Sequence, residues 1–373
     1  MSDAIYIDDE VALRELGEKA SCLPHLAADT EFLRERTYHA RLCLVQLAGD
    51  GWIACVDPLS GMDLEPLWRC FDRVELTLHA ARQDLEVLVG TSGRLPGRLF
   101  DTQIAAALCG FPAQIGYASL VKELLGVDLG KHQTRTDWSR RPLSTAQLEY
   151  AADDVRYLDD MRNMLTERLE ELGRLEWARA DSADLLDGAL YMPAPHTAWQ
   201  RLRGLARMDE KSAAAAAELA VWREEEALRA DRPRQWILKD AVLLELAQRR
   251  PGDRQALADI RDMPAGLVRR AGDRLLRIIR DPASAPVVRR RPPSAADKAL
   301  VAELADVVRG RAEELGIEPE LLASRKELRQ AVAGDAVLRA LSGWRDEIVG
   351  RELRELLEDQ SPGESSTAAS SRP

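Results

Sequence analysis

The sequence predicts an α/β domain with a mixed sheet flanked by helices, followed by an all-helical second half. Strand-like and helix-like segments alternate up to Leu172, which is typical of such a domain. Beyond Tyr191, strand patterns are lacking and Ala, Leu, Glu and Arg dominate. The chain of 373 residues, 46% of them hydrophobic, has enough material for one large domain and one or two smaller ones.

The first three strands predict an antiparallel meander. They cover His25 to Phe32, Leu42 to Ala48 and, after the turn Gly49-Asp50-Gly51, Trp52 to Val56. The next elements are a helix at Glu65 to Phe71, a buried strand at Val74 to Leu78, and helices at Gln83 to Val89 and Thr102 to Leu108. A long amphipathic helix from Ser144 to Leu172 closes the domain.

Proline-rich and polar segments divide the rest of the chain. Met192-Pro193-Ala194-Pro195 predicts a linker, Arg289 to Pro293 splits the helical half, and the last residues are too polar to bury a core. The predicted boundaries are 1–190 for the α/β domain, 191–205 for a linker, 206–285 for a first bundle, 286–293 for a second linker, 294–360 for a second bundle and 361–373 for a disordered tail.

The composition indicates a cytoplasmic protein without a membrane partner. The N-terminal segment MSDAIYIDDE has neither the basic start nor the apolar centre of a signal peptide, and no apolar run is long enough to span a bilayer. The five cysteines form no C-x-x-C pair, which favours reduced thiols over a disulfide framework or a zinc site: Cys22, Cys43, Cys55, Cys70 and Cys109.

A net charge of −11 argues against a nucleic-acid partner unless Lys and Arg are clustered locally. Three clusters exist, and each fits an ordinary solvated surface equally well. They are Arg34, Arg36 and Arg41; Lys131, His132, Arg135, Arg140 and Arg141; and Arg289 to Arg291.

Acidic residues in three places are candidates for a metal-dependent site. Asp29 and Glu31 lie two apart on the first strand, so both side chains point from the same face. Asp84 begins a helix directly after a strand. Tyr150 and Asp154 lie one turn apart on a helix and share a face. Each element alone also fits surface acids or a helix-start carboxylate, so their combination carries the hypothesis.

Together, D-x-E on a strand, a lone Asp after a strand and Y-x-x-x-D on a later helix resemble the three motifs of the DEDDy branch of 3′→5′ exonucleases. Further motifs narrow the resemblance to the ribonuclease D family. They are Ala28-Asp29-Thr30-Glu31-Phe32, Leu42-Cys43-Leu44-Val45-Gln46, Phe100-Asp101-Thr102-Gln103, Arg135-Thr136-Asp137-Trp138, Arg141-Pro142-Leu143 and Glu149-Tyr150-Ala151. One departure is Tyr38-His39-Ala40, where the family usually carries a proline.

The second half resembles the helical HRDC module that ribonuclease D proteins carry after the nuclease. The resemblance rests on Leu219-Ala220-Val221-Trp222-Arg223 and Ile237-Leu238-Lys239-Asp240, and the segment from Leu321 to Trp344 looks like a more divergent second copy. It implies a ribonuclease H-like nuclease domain followed by HRDC-type bundles. Without the resemblance, both bundles are only amphipathic helices.

The family resemblance implies two divalent cations, Mg²⁺ or Mn²⁺, bound by Asp29, Glu31, Asp84 and Asp154. Carboxylate oxygens suit these hard ions, which would offset the repulsion between the acids. Tyr150 has an ordinary pKa near 10 and is therefore expected to orient the attacking water rather than to act as a base.

The implied substrate is RNA with a free single-stranded 3′ end, and the family expectation is a transfer RNA precursor. Phe32 is a candidate to pack against the terminal base, and Lys131 and Arg135 are candidates to contact phosphates. No obligate protein partner is predicted. Two alternatives stay open: a 3′→5′ exonuclease that acts on DNA, and a noncatalytic RNA-binding scaffold.

Overall fold

The computed structural model describes residues 4–129, 136–282, 293–334 and 337–359. It confirms the predicted order of a mixed α/β domain followed by helical bundles. The predicted disordered tail, the basic segment at 289–291 and most of the second predicted linker lie outside the described residues.

The sheet has the strand order β1-β4-β3-β2-β5-β6. The strands are β1 Ile5–Ile7, β2 His25–Leu33, β3 Arg41–Gly49, β4 Trp52–Val56, β5 Glu75–Leu78 and β6 Arg98–Asp101. The meander β2-β3-β4 is antiparallel, as predicted. In addition, β1 lies parallel to β4, β5 parallel to β2 and β6 parallel to β5. Strands β1 and β6 were not predicted.

Helices cover both faces of this sheet. They are α1 Glu10–Ala20, α2 Glu65–Arg73, α3 Arg82–Ser92, α4 Thr102–Leu108, α5 Tyr117–Leu125, α6 Thr145–Arg156, α7 Leu158–Glu171 and α8 Leu175–Asp184. Leu26 and Ala28 of β2 pack into the same core as α1, α2 and α3, whereas Ala27 packs into the core formed with α4 to α8. Side chains alternate along a strand, so the odd-numbered residues of β2 face this second layer.

The single long helix predicted from Ser144 to Leu172 is wrong: it is two helices, α6 and α7, that meet at Tyr157. The hydroxyl of Tyr117 donates to the carbonyl oxygen of Asp153 at 2.6 Å and lies 3.4 Å from the backbone nitrogen of Tyr157, which donates to it. In a continuous helix, these two backbone groups would bond to each other. A side chain inserted into the ladder is a recognised cause of a helix break. Tyr117 is remote in sequence, so the amphipathic pattern could not reveal it.

The first bundle consists of α9 Glu210–Arg229, α10 Arg234–Ile237, α11 Asp240–Arg249, α12 Arg254–Ala258 and α13 Ala265–Arg280. The structure differs from the predicted linker at 191–205, because Ala198, Leu202 and Leu205 are buried in the core of this bundle. The bundle therefore begins earlier than the composition indicated.

The second bundle consists of α14 Ala295–Leu315, α15 Arg325–Val332, α16 Gly343–Arg345 and α17 Arg351–Asp359, with a π-helical segment, Asp346–Gly350, between the last two. Its apolar residues belong to the same continuous core as α4 to α8 of the first domain. Across the described ranges, no helix combines the length and apolarity needed to cross a bilayer. All five cysteines are free thiols, and only Cys22 is exposed.

Candidate active site

Three of the predicted carboxylates converge. Asp29 and Glu31 project from the same face of β2, and Asp154 reaches them from α6, so that one oxygen of each lies within 4.8 Å of the others. All three residues are partly exposed. Among the described residues, this is the only group of three or more His, Cys, Asp or Glu side chains close enough to hold a metal ion.

The fourth predicted carboxylate, Asp84, lies beside this group without belonging to it. It occupies the first turn of α3, is 7% exposed and accepts a hydrogen bond from the hydroxyl of Thr30 at 2.5 Å. Thr30 points from the face of β2 opposite to Asp29, so Asp84 approaches from the α3 side of the sheet. Its charge still raises the pKa of both Asp29 and Glu31.

All four acids have raised pKa values. Burial raises the pKa of Asp29 well above its usual range, and the charges of Asp84, Asp154 and Glu31 raise it further. Burial and the acidic neighbours raise the pKa of Glu31 to about 8. Burial also raises the pKa of Asp154 to about 7 and that of Asp84 to about 6, although hydrogen bonds to each act in the opposite direction.

This donor set fits a hard divalent cation. The converging atoms are all carboxylate oxygens, the ligands that Mg²⁺ and Mn²⁺ prefer, and no sulfur or imidazole ligand accompanies them among the described residues. A cation would also favour the ionised form of each acid. Both the ligand chemistry and the raised pKa values therefore support metal binding.

Tyr150 lies one helical turn before Asp154 and donates a hydrogen bond to it. Burial, reinforced by the charges of Asp154, Glu31 and Asp29, raises the pKa of Tyr150 further above its ordinary value. The phenol therefore keeps its proton at neutral pH. It can serve as a hydrogen-bond donor and acceptor but not as a general base.

The loop that contains Trp138 lies next to Tyr150, and Arg141 holds this loop in place. Sequence reasoning missed this role of Arg141. The Trp138 ring is 6% exposed and lies 6.0 Å from the ring of Tyr150. All five N–H groups of Arg141 donate hydrogen bonds. Nε and Nη2 bind the carboxylate of Asp57 at 2.6 and 2.5 Å, and the remaining donors bind the carbonyl oxygens of Trp138, Arg140 and Cys43. The sequence indicated only that Arg141-Pro142-Leu143 was a family motif.

Sequence reasoning also missed two residues near the site, His79 and Tyr117. Nε2 of His79 lies 3.0 Å from the carbonyl oxygen of Ile115, which can only accept, so Nε2 carries the proton. Burial lowers the pKa of His79, and its neutral ring packs edge-on against Tyr117 at 5.8 Å. The adjacent sequence signal, His79-Ala80-Ala81, gave no indication of these partners.

The predicted RNA contacts are only partly described. Phe32 follows a register shift in β2 and is partly buried against the core on the α3 side. Lys131 and Arg135 lie outside the described residues.

Most of the chain is similar to proteins of one family. The model of the 3′-5′ exonuclease family matches residues 4–170, and that of the HRDC domain matches residues 212–279. The chain is 40% identical to ribonuclease D of Gluconacetobacter diazotrophicus, with 94% of this chain and 92% of the relative covered. It is 36% identical to ribonuclease D of Pseudomonas paraeruginosa, with 95% and 97% covered.

The fold agrees with that assignment. The crystal structure of Escherichia coli RNase D, described as an exoribonuclease involved in structured RNA processing, matches with a TM-score of 0.86 at 30% identity. The match covers 96% of this chain and 99% of that one. The chain therefore belongs to the ribonuclease D family and is a 3′→5′ exoribonuclease.

Proposed function

We propose that this exoribonuclease removes nucleoside 5′-monophosphates one at a time from single-stranded RNA 3′ ends, with two divalent cations, Mg²⁺ or Mn²⁺. The observation that carries the proposal is the convergence of Asp29, Glu31 and Asp154 within 4.8 Å, beside the buried Asp84. Bound cations would offset the charge of the acids, activate water and stabilise the leaving 3′ oxygen.

The four acids would act as metal ligands, and Tyr150 would orient the attacking water. Its hydroxyl already donates to Asp154 and can accept a hydrogen bond from a water molecule at the same time. Because the raised pKa keeps the phenol protonated, Tyr150 contributes orientation rather than proton abstraction. The terminal base would pack against the partly exposed ring of Phe32.

The first bundle would hold RNA upstream of the 3′ end. Helix α13 carries five arginines and one aspartate, and all five arginines are exposed although the chain as a whole is acidic: Arg269, Arg270, Arg274, Arg277 and Arg280. Such a basic stripe suits a phosphate backbone. Trp236 of α10, 60% exposed, adds a surface on which a base can stack.

Transfer RNA precursors are the proposed physiological substrate, and the cytoplasm is the proposed location. The description of the Escherichia coli relative as an enzyme of structured RNA processing supports the first. Five free thiols, four of them buried, support a reducing compartment. Lys131 and Arg135 remain proposed phosphate contacts.

The test is digestion of a 5′-labelled single-stranded RNA and the matching DNA with Mg²⁺, Mn²⁺ or chelator. Wild-type protein is compared with Asp29→Asn, which keeps the shape of the side chain but removes its charge. Asp160→Asn is the control, because Asp160 is an exposed acid on α7. We expect stepwise, metal-dependent shortening of the RNA in wild type and control, and a loss of about 100-fold or more in Asp29→Asn.

The outcomes separate the alternatives. Faster shortening of the DNA would favour the DNA-directed exonuclease. RNA binding without shortening under any metal would favour the noncatalytic scaffold. Equal activity of Asp29→Asn and wild type would remove Asp29 from the proposed site.

A further inference from the structure

We propose that Tyr117 is a positioning residue for the active site: its hydroxyl ends α6 after Arg156 and thereby aims Asp154 at Asp29 and Glu31. The proposal rests on the proposed function of those acids. The contacts that interrupt the predicted long helix are the observation behind this role. The Tyr117 hydroxyl binds the Asp153 carbonyl at 2.6 Å and accepts from the Tyr157 nitrogen at 3.4 Å.

The hydroxyl occupies a position that a helical hydrogen bond would otherwise fill. Asp153 and Tyr157 are four residues apart, so their carbonyl and N–H would pair in an uninterrupted helix. Burial raises the pKa of Tyr117, so the hydroxyl is protonated and can donate to one group while accepting from the other. A phenylalanine at this position could do neither.

The two helices on either side of the break pack against different parts of the domain. Helix α6 lies across β2, β3 and β4, whereas α7 lies mainly against α4, α5 and β5 and has a smaller contact with β2. Asp154 is in the last turn of α6, next to the residue whose carbonyl Tyr117 binds. The direction of that turn relative to β2 therefore decides where the Asp154 carboxylate points.

Tyr117 is itself fixed from the opposite side. His79 packs edge-on against its ring at 5.8 Å, and His79 is held by Thr102 at 2.9 Å and by the Ile115 carbonyl at 3.0 Å. Thr102 begins α4 and Ile115 precedes α5, so the position of the hydroxyl is set by elements that do not belong to α6 or α7. Such a hydroxyl can impose the break rather than follow it.

The test compares Tyr117→Phe with Tyr191→Phe. Tyr191 also donates its hydroxyl to a backbone carbonyl, that of Leu185 at 2.7 Å, but this contact is not part of the site. For each protein, Mn²⁺ affinity is measured by calorimetry without RNA, thermal unfolding is followed, and kcat and KM are measured on single-stranded RNA. Amide hydrogen exchange at Tyr157 reports on the helix break directly.

We expect Tyr117→Phe to weaken Mn²⁺ binding and to lower kcat, each by about 10-fold to 100-fold, as for other residues that orient metal ligands. KM should change little, and the Tyr157 amide should exchange more slowly because it gains the Asp153 carbonyl. Tyr191→Phe should lower Tm by a similar amount without these changes. Equal losses in both variants, or unchanged Mn²⁺ affinity and kcat in Tyr117→Phe, would overturn the proposal.

The design also separates this inference from the proposed function. Weaker Mn²⁺ binding and altered exchange in Tyr117→Phe, together with a wild-type protein that cleaves no RNA, would refute the proposed function and retain the positioning role. RNA cleavage that is lost in Asp29→Asn but unaffected in Tyr117→Phe would retain the proposed function and refute the positioning role of Tyr117.

Discussion

The two helical bundles are attached to the nuclease domain in different ways. The second bundle shares its core with that domain, because Leu300, Leu304 and Val308 of α14 belong to the same buried cluster as the apolar residues of α4 and α7. Trp344 stacks on Trp177 of α8 with ring centroids 4.3 Å apart. This bundle is therefore an integral part of the nuclease domain.

Charged groups reinforce that attachment. Arg345 binds both oxygens of Asp181 at 2.7 and 2.6 Å, and the indole nitrogen of Trp344 donates to the same carboxylate at 2.9 Å. Arg345 is 3% exposed, so the ion pair is screened little by solvent.

The first bundle has a core built, as far as the structure describes it, from its own residues, and polar groups tie it to the nuclease domain. The Tyr38 hydroxyl donates to Glu224 at 2.6 Å, and Asp231 accepts from the backbone nitrogens of Tyr38 and His39 at 3.0 and 3.1 Å. These contacts use the segment Tyr38-His39-Ala40. We call the first bundle docked, because polar contacts tie it to the nuclease domain, and the second bundle fused, because it shares the core of that domain.

The largest expected effect breaks the fused interface. Trp344→Ala removes a side chain that is 8% exposed, and with it the stacking contact with Trp177 and the hydrogen bond to Asp181. We expect the free energy of unfolding to fall by about 3 to 5 kcal/mol. Chemical denaturation followed by circular dichroism would measure it. The control is Trp236→Ala, where an exposed tryptophan of the docked bundle should cost no more than about 0.5 kcal/mol. Similar losses for both variants would contradict the distinction.

A smaller effect is the change in stability with pH that Glu31 of the active site causes. The pKa of Glu31 is raised to about 8 in the folded protein, so between pH 4.5 and 8 the unfolded chain loses this proton first. Metal-free protein should therefore become less stable as pH rises through this window. Saturating Mg²⁺ should reverse the trend, because it binds the ionised acids.

Glu31→Gln tests this directly, because it removes the charge and nearly keeps the shape. At pH 8 without metal, the variant should be more stable than wild type by about 1 to 2 kcal/mol, after allowance for partial exposure. It should also lose RNA cleavage. Thermal scans at pH 5 and pH 8, with chelator or Mg²⁺, are the measurement, and a wild-type Tm that rises from pH 5 to 8 in chelator would refute the assignment.

The smallest effect concerns the docked interface. Tyr38→Phe removes the hydrogen bond from the Tyr38 hydroxyl to Glu224, which is 2% exposed. We expect a cost of about 1 kcal/mol, because the Glu224 carboxylate keeps its contacts with Arg201 and Arg234. Cleavage of a very short RNA should be unchanged, while affinity for a long RNA should fall because the basic face of α13 is no longer held in place. Filter binding with both RNAs measures this difference, and parallel losses for short and long RNA would count against a docking role.

Local patterns predicted the elements that present the carboxylates. The period of two on β2 placed Asp29 and Glu31 on one face, and the four-residue spacing placed Tyr150 and Asp154 on one turn. The family resemblance brought these elements to one site. In contrast, strand β1 is too short to show a pattern, and helix α1 was overlooked although Asp9 caps its first turn.

Contacts between distant residues could not be predicted. Arg141 and Asp57 are 84 residues apart, and nothing near either residue indicates the other. The break at Tyr157 depends on a hydroxyl 40 residues away, so the amphipathic pattern of the helix continued through it. These contacts depend on the assembled fold, whereas periodicity depends only on neighbouring residues.

The shared core of the second bundle has a consequence for synthesis. Helices α4 and α7 leave the ribosome well before α14, so a growing chain that ends before Leu300 exposes the apolar face that α14 covers in the finished protein. Exposed surface of this kind promotes aggregation and chaperone binding. A prematurely terminated chain would contain every acid of the proposed catalytic site and still lack a completed core. The order of elements thus makes a stable nuclease domain depend on translation through α14.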